Sequence, residues 1–97
     1  MALPSDVRPY GRTPEFTEAT VPAALLKAHT TKEGSWALIH VLDCRLAYRI
    51  DDPRRPACEA VLTAQTPPGV VEPTIRHAVE PLGPVRFFVE FHRRGET

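Results

Sequence analysis

The side chains able to do chemistry in this chain are four histidines, His29, His40, His77 and His92, and the carboxylates Glu72, Glu80 and Glu90. Neutral imidazoles suit zinc, iron, nickel or copper, and a carboxylate beside two of them lowers the net charge of the site. Three such ligands leave one coordination position open for water or substrate. His77 follows the Pro67-Pro68-Gly69 turn by eight residues and precedes a strand-turn-strand unit, a placement that aims a side chain into the mouth of a small barrel. The alternative reading of His77 is a hydrogen-bonded structural histidine. His29 reads by itself as a loop residue, His40 as a buried or interface residue, and His92 as an exposed neighbour of the charged tail. No nucleophile elbow, glycine-rich phosphate loop, HExxH or GxGxxG is present, which removes whole reaction classes.

These residues need short strands to position them. Eleven prolines and five glycines in 97 residues leave no room for a long helix. One short helix, Ala23 to Ala28, opens after Pro22. Between the remaining turn signals the chain reads as strand, and short strands at regular spacing point to a sandwich or barrel. The segment Trp36 to Ile50 predicts a hairpin turning at Asp43-Cys44, pairing Leu42 with Arg45, Val41 with Leu46 and Ile39 with Tyr48. One face then holds Ile39, Val41, Leu46, Tyr48 and Ile50, an interior set. The other holds Trp36, Leu38, His40 and Leu42, too apolar for bulk water and suited to a second sheet or a homodimer interface. Asp51 to Pro56 reads as an exposed loop in which Arg54 and Arg55 are solvated.

Further strands are expected at Glu59 to Thr63, at Val70-Val71, through His77 and Val79, and at Val85 to His92. Pro81 to Pro84 reads as the turn before the last of these. If that turn is a four-residue loop, His77 falls opposite Phe88 and shares a face with Glu90. A loop one residue shorter turns His77 the other way, towards Phe87, so register decides whether the two meet.

Composition bounds the partners. Twelve basic against twelve acidic residues leave no net charge, which argues against nucleic acid or an anionic membrane. Cys44 and Cys58 lack zinc spacing and read as reduced thiols. No leader or membrane-spanning run is apparent, so a cytoplasmic location is expected. The whole of 1–97 reads as one domain, with about nine N-terminal and about four C-terminal residues loose.

Several separated segments then resemble one known family. They are Thr13-Pro14-Glu15-Phe16, Thr20-Val21-Pro22-Ala23, Leu26 through His29, Thr31 through Trp36 and Val41-Leu42. The likeness continues through Glu72-Pro73, Arg76-His77, Val79 through Gly83 and Phe87 through Phe91. In order and spacing they resemble the TehB/YeaR-like domain family, from Tyr10 to Arg93. The resemblance implies an all-β, cupin-like double-stranded β-barrel of jelly-roll type. It also implies an association with tellurite resistance or stress, without the methyltransferase domain that accompanies this unit in some proteins. By the same resemblance His29 and His77 look like the two cupin metal positions, and Glu90 and Glu80 like acidic positions of the family. The full cupin first motif does not follow His29, and Asp43-Cys44 stands where an acidic residue and a glycine are usual.

The expectation is therefore a divalent transition metal (zinc, iron or nickel) on His29, His77 and Glu90, with Glu80, Arg86 and Tyr48 as ligand-binding residues. The function expected is binding of a small molecule or oxyanion, without catalysis. The alternatives are a small metal-dependent dioxygenase or isomerase, and a metal-free dimeric interaction module.

Overall fold

In the computed structural model, residues 3–27 and 29–95 are described, and they form one antiparallel six-stranded sheet that bends around a single core. The strands are β1 (Val7–Arg12), β2 (Phe16–Thr17), β3 (Trp36–Ile50), β4 (Cys58–Leu62), β5 (Gly69–Val71) and β6 (His77–Arg94). Four of them run in the order β1-β6-β3-β4, while β2 also pairs with β6 and β5 with β3. The all-β expectation holds, and no helix among the described residues is long and apolar enough to cross a membrane. Cys44 and Cys58 are free and exposed.

The two long strands are where sequence and structure part. Asp43-Cys44 is not a hairpin turn, and Pro81 to Pro84 does not reverse the chain: β3 and β6 run straight through both places, paired with each other. The pairs Ile39↔Val89 and Val41↔Phe87 lie on one side of an irregularity, and Leu46↔Pro81 and Tyr48↔Val79 on the other. Between Cys44↔Val85 and Leu46↔Pro81, Arg45 alone stands opposite Leu82, Gly83 and Pro84. Cys44 and Gly83 both take positive φ here, 64° and 113°. The turn signals were genuine, but they mark a shared corner at which two paired strands bend together. Extra residues of this kind bend and twist a strand without ending it.

A second irregularity, a one-residue bulge that leaves Leu42 over between Val41↔Phe87 and Asp43↔Arg86, explains why the expected interior survived the wrong pairing. A bulge shifts side-chain parity just as a two-residue hairpin would, so Ile39 and Val41 before it and Leu46, Tyr48 and Ile50 after it all face inward. All five are buried, and with Phe87, Val79, Val85 and Val89 they form the core. Phe87, fully buried, is met edge-on by Phe16 of β2, with ring centroids 5.7 Å apart.

Three local expectations need correction. The helix after Pro22 is a single 3-10 turn, Ala23–Leu26, and Lys27 is already extended, while Ala28 lies outside the described residues. So short a segment with no side-chain cap gains too little to propagate as an α-helix. The N-terminus is not loose to residue 9, because β1 pairs Val7 with Arg94 and Arg8 with Arg93, which also orders the end of β6. Nearly all of β1 is exposed, so ladder hydrogen bonds hold it and no apolar alternation announces it. Finally, residues 51–56 are anchored rather than freely solvated, as described below.

Cys44 is a non-glycine residue in the left-handed region, where a Cβ is sterically disfavoured. Replacing it with glycine, Cys44→Gly, should raise Tm by roughly 4 °C in thermal unfolding followed by circular dichroism. A fall in Tm would show that the thiol contributes more than the strained backbone costs.

Candidate functional site

A pocket of about 210 Å³ opens into the core between the bent halves of the sheet. Its walls are almost entirely apolar, with Phe16, Leu25, Val71, Phe87, Val89 and Phe91 prominent among them. The 3-10 turn places Leu25 over one side. Its polar lining residues are the imidazoles of His29 and His77 together with Thr13 and Thr31.

Backbone pairing brings these histidines together across 48 positions of sequence. The His29 amide donates to the His77 carbonyl at 2.8 Å, and the His77 amide to the His29 carbonyl at 2.9 Å. The rings meet edge to face, with His29 Nδ1 3.5 Å from His77 Nε2. His77 is 4 % exposed, and its Nδ1 lies 3.1 Å from the Ile75 carbonyl oxygen. That carbonyl can only accept, so Nδ1 carries the proton and Nε2 presents a lone pair towards His29. Burial pushes the His77 pKa down; the Ile75 hydrogen bond opposes this and the neighbouring His29 reinforces it. His77 is therefore held as a neutral acceptor.

An ionic network that no residue pattern announces clamps the loop before His77. Asp52, read as part of an exposed loop, is 8 % exposed. Its carboxylate accepts from Arg54 Nε, Arg54 Nη2, the Arg54 amide and the Arg76 amide, each at 2.9 Å. Arg54 also donates to the carbonyl of Thr74, at 2.7 Å, a β-branched residue held at φ 63°. Arg55 grips Glu72 through two hydrogen bonds of 2.9 and 2.7 Å, which draws the Glu72 acid below its usual range. The pair of arginines thus ties residues 51–55 to residues 72–76 and fixes where β6 begins.

The other expected site residues do not join the histidine pair. His77 and Glu90 sit at opposite ends of β6, facing Ile50 and Leu38 of β3 respectively. Because β6 keeps its parity through the corner, His77, Val79, Phe87 and Val89 point into the core while Glu90 points out. There it accepts from His40 and His92, so the set His29, His77 and Glu90 is not assembled. Among the described residues no group of three or more His, Cys, Asp or Glu is placed to hold a metal ion. The two imidazoles alone do not fit the three-ligand centre expected from the resemblance. Of the expected ligand-binding residues, Glu80 and Arg86 are exposed, and Arg86 pairs with Glu15 at 3.5 Å. Tyr48 is buried but does not line the pocket, since its hydroxyl donates to the Val70 carbonyl at 2.7 Å.

Two predictions come from this geometry. The Asp52 acid is depressed far below the usual carboxylate range, first by the Arg54 side chain and then by the Arg76 and Arg54 amides. A depressed carboxylate contributes stability that is complete above its unfolded pKa of about 3.9 and lost as pH falls towards the folded value. Urea melts should show Asp52→Ala less stable than wild type at pH 7, with the gap narrowing at pH 3. A gap independent of pH would sink the ionic account of the clamp. For the metal, Glu90→Ala and wild type should retain the same metal content after dialysis against a weak chelator. Stoichiometric metal lost only from Glu90→Ala would restore the three-ligand centre.

The comparisons with known proteins agree with the fold. The TehB-like domain family matches residues 11–89. The fold superimposes on TehB from Haemophilus influenzae with a TM-score of 0.83 and 24% identity, over 93% of this chain and 32% of that one. The chain thus spans about a third of the length of that protein. A protein from Escherichia coli strain K12 matches over 99% of both chains, with a TM-score of 0.85 and 19% identity. No curated protein sequence matches. With the family pattern covering most of its length, this chain belongs to the TehB-like domain family.

Proposed function

We propose that this chain is a small-ligand-binding domain, acting in the setting of tellurite resistance or stress that its family resemblance suggests. The observation that carries the reading is the pocket of about 210 Å³ with apolar walls and the His29–His77 pair as its polar end. Small-molecule sites generally combine a preformed apolar cavity with a few fixed polar groups. Here the fixed group is a buried neutral acceptor, His77 Nε2, whose one lone pair the ligand takes over from the long 3.5 Å contact to His29 Nδ1. The ligand favoured is therefore compact, uncharged and mainly apolar, with one hydroxyl or N–H directed at the histidines.

An oxyanion is disfavoured as the occupant of this pocket. Its lining contains no lysine or arginine, and a charged oxyanion would have to shed its water against apolar walls. Burial also keeps His77 from supplying the compensating positive charge. The reading thus narrows the expected small molecule or oxyanion to the first of the two, and it includes no metal.

Benzyl alcohol is a suitable probe. Titrated into ¹⁵N-labelled protein, it should shift the amides of residues 29–31, 77–79 and 87–91 in a saturable manner. His77→Phe, which keeps an aromatic ring and removes the acceptor, should weaken binding about tenfold, the worth of one good hydrogen bond. No saturable shift at millimolar probe, or equal binding by His77→Phe, would count against the proposal.

A further inference from the structure

Outside this pocket, on the opposite face of the sheet, three chemically capable side chains converge that the proposed function does not use. Glu90 Oε1 lies 2.9 Å from His92 Nε2 and 3.4 Å from His40 Nε2. Strand pairing produces the cluster. Leu38↔Glu90 and Trp36↔His92 are cross-strand pairs, and His40, opposite Phe88, sits diagonally beside Glu90 on the same face. Burial works to raise the Glu90 acid, but the hydrogen bonds from His92 and His40 outweigh it, so it stays an ionised acceptor.

The proton positions follow from the surroundings. His92 is 7 % exposed, and its Nδ1 is buried without a hydrogen-bond partner among the described residues. A second proton on that ring would place an N–H at Nδ1 with no acceptor among the described residues, a cost incurred even beside the Glu90 carboxylate. The His92 Nε2–H donates to Glu90, and that hydrogen bond fixes the carboxylate. Glu90 also accepts from the His40 Nε2–H, so in the neutral ring His40 Nδ1 is a lone pair with no protein donor among the described residues. This arrangement also argues against a metal, since both Nε2 atoms are occupied as donors to a single carboxylate oxygen.

The ring of His40 is held in place from its side as well. It stacks on Phe88 with centroids 4.8 Å apart and planes 20° apart, and the Arg12 guanidinium lies 4.2 Å from the centre of the same Phe88 ring. His40 and Phe88 border a half-open cleft of about 290 Å³, lined elsewhere by Leu42, Thr63, Thr66 and Pro68. The cleft is separate from the first pocket, with no lining residue in common.

We propose that this cleft is a second small-molecule site, in which His92 and Glu90 are positioning residues and His40 Nδ1 accepts a hydrogen bond from a planar ligand bearing a neutral O–H or N–H. Leu42, Pro68 and the edge of Phe88 give the planar body apolar surface, since His40 and Arg12 engage the faces of that ring. The lining is more balanced between polar and apolar than that of the first pocket, which suits a more polar ligand.

The probe is 4-hydroxybenzamide, whose polar amide suits this cleft and not the apolar pocket. In a ¹⁵N titration at pH 8 it should shift residues 40–42, 63–66 and 88 saturably. His40→Phe preserves stacking on Phe88 and should weaken binding about tenfold. His77→Phe should bind as wild type, which separates this site from the first pocket. Ring ¹⁵N shifts should show His40 and His92 protonated on Nε2, and Glu90→Gln should lose that preference at His40 and weaken the probe severalfold. The proposal fails if the shifts lie elsewhere or are absent, if His40→Phe binds as wild type, or if His40 carries its proton on Nδ1.

Discussion

Every other feature of this molecule depends on the pairing of β3 with β6. Residues from one end of the chain to the other are registered against these two strands: β1 and β2 on β6, β4 and β5 on β3. Because both long strands bend at the same place, one continuous ladder supplies two facing walls. A core of Ile39, Val41, Leu46, Tyr48, Val79 and Phe87 then closes without any helix of substance. The bend needs backbone that most residues resist, at Cys44 and Gly83, and glycine meets that need freely while cysteine does not. Burial of apolar surface across the corner is the force that can hold a strained cysteine there.

The bend also decides which chemical groups can meet. Alternation along β6 sends His77 inward and Glu90 outward, and no local rearrangement short of a register slip exchanges them. The chain therefore keeps its polar groups in two compartments. Inside, His77 is buried, neutral and tied to a carbonyl. Outside, a carboxylate shared by His40 and His92 lies under partial solvent cover, flanked by Arg12. The apolar patch of Trp36, Leu38, His40 and Leu42 is half-buried within the single chain, in part because Arg94 lies over Trp36 and Phe88 stacks on His40.

Much of this was legible in the residues, and the failures are physically instructive. The interior set of β3 could be read because apolar alternation survives either a hairpin or a bulge. For the same reason the alternation could not say which of the two was present. Pro81, Gly83 and Pro84 advertise a departure from regular strand, yet local sequence cannot distinguish a reversal from a corner, since the difference lies in what pairs across from it. His29 and His77 were joined through family likeness, and the structure joins them through two backbone hydrogen bonds. Glu90 joins them only through the same likeness and through a turn that is not there. Asp52 gave no signal at all: in sequence it is one acid among prolines and arginines, and only folding surrounds it with four donors.

The Asp52 clamp shows how a site of this kind can be precise while built from loops. His29 and His77 are held to each other by main-chain bonds, but His29 lies outside any strand and His77 at the end of one, where fraying would open the pocket. His77 opens β6, and the amide immediately before it, that of Arg76, is bound by Asp52. Thr74, two residues earlier still, is held in an unfavourable conformation by Arg54 and by a bond from its amide to the Thr31 carbonyl, close behind His29. The same network therefore reaches both histidines from behind. The pocket's apolar wall is rigid because it is core, and its polar end is rigid because an ion cluster outside the core fixes the backbone that carries it. Neither the wall nor the histidines alone would hold an acceptor at one point in an apolar cavity; the two together do.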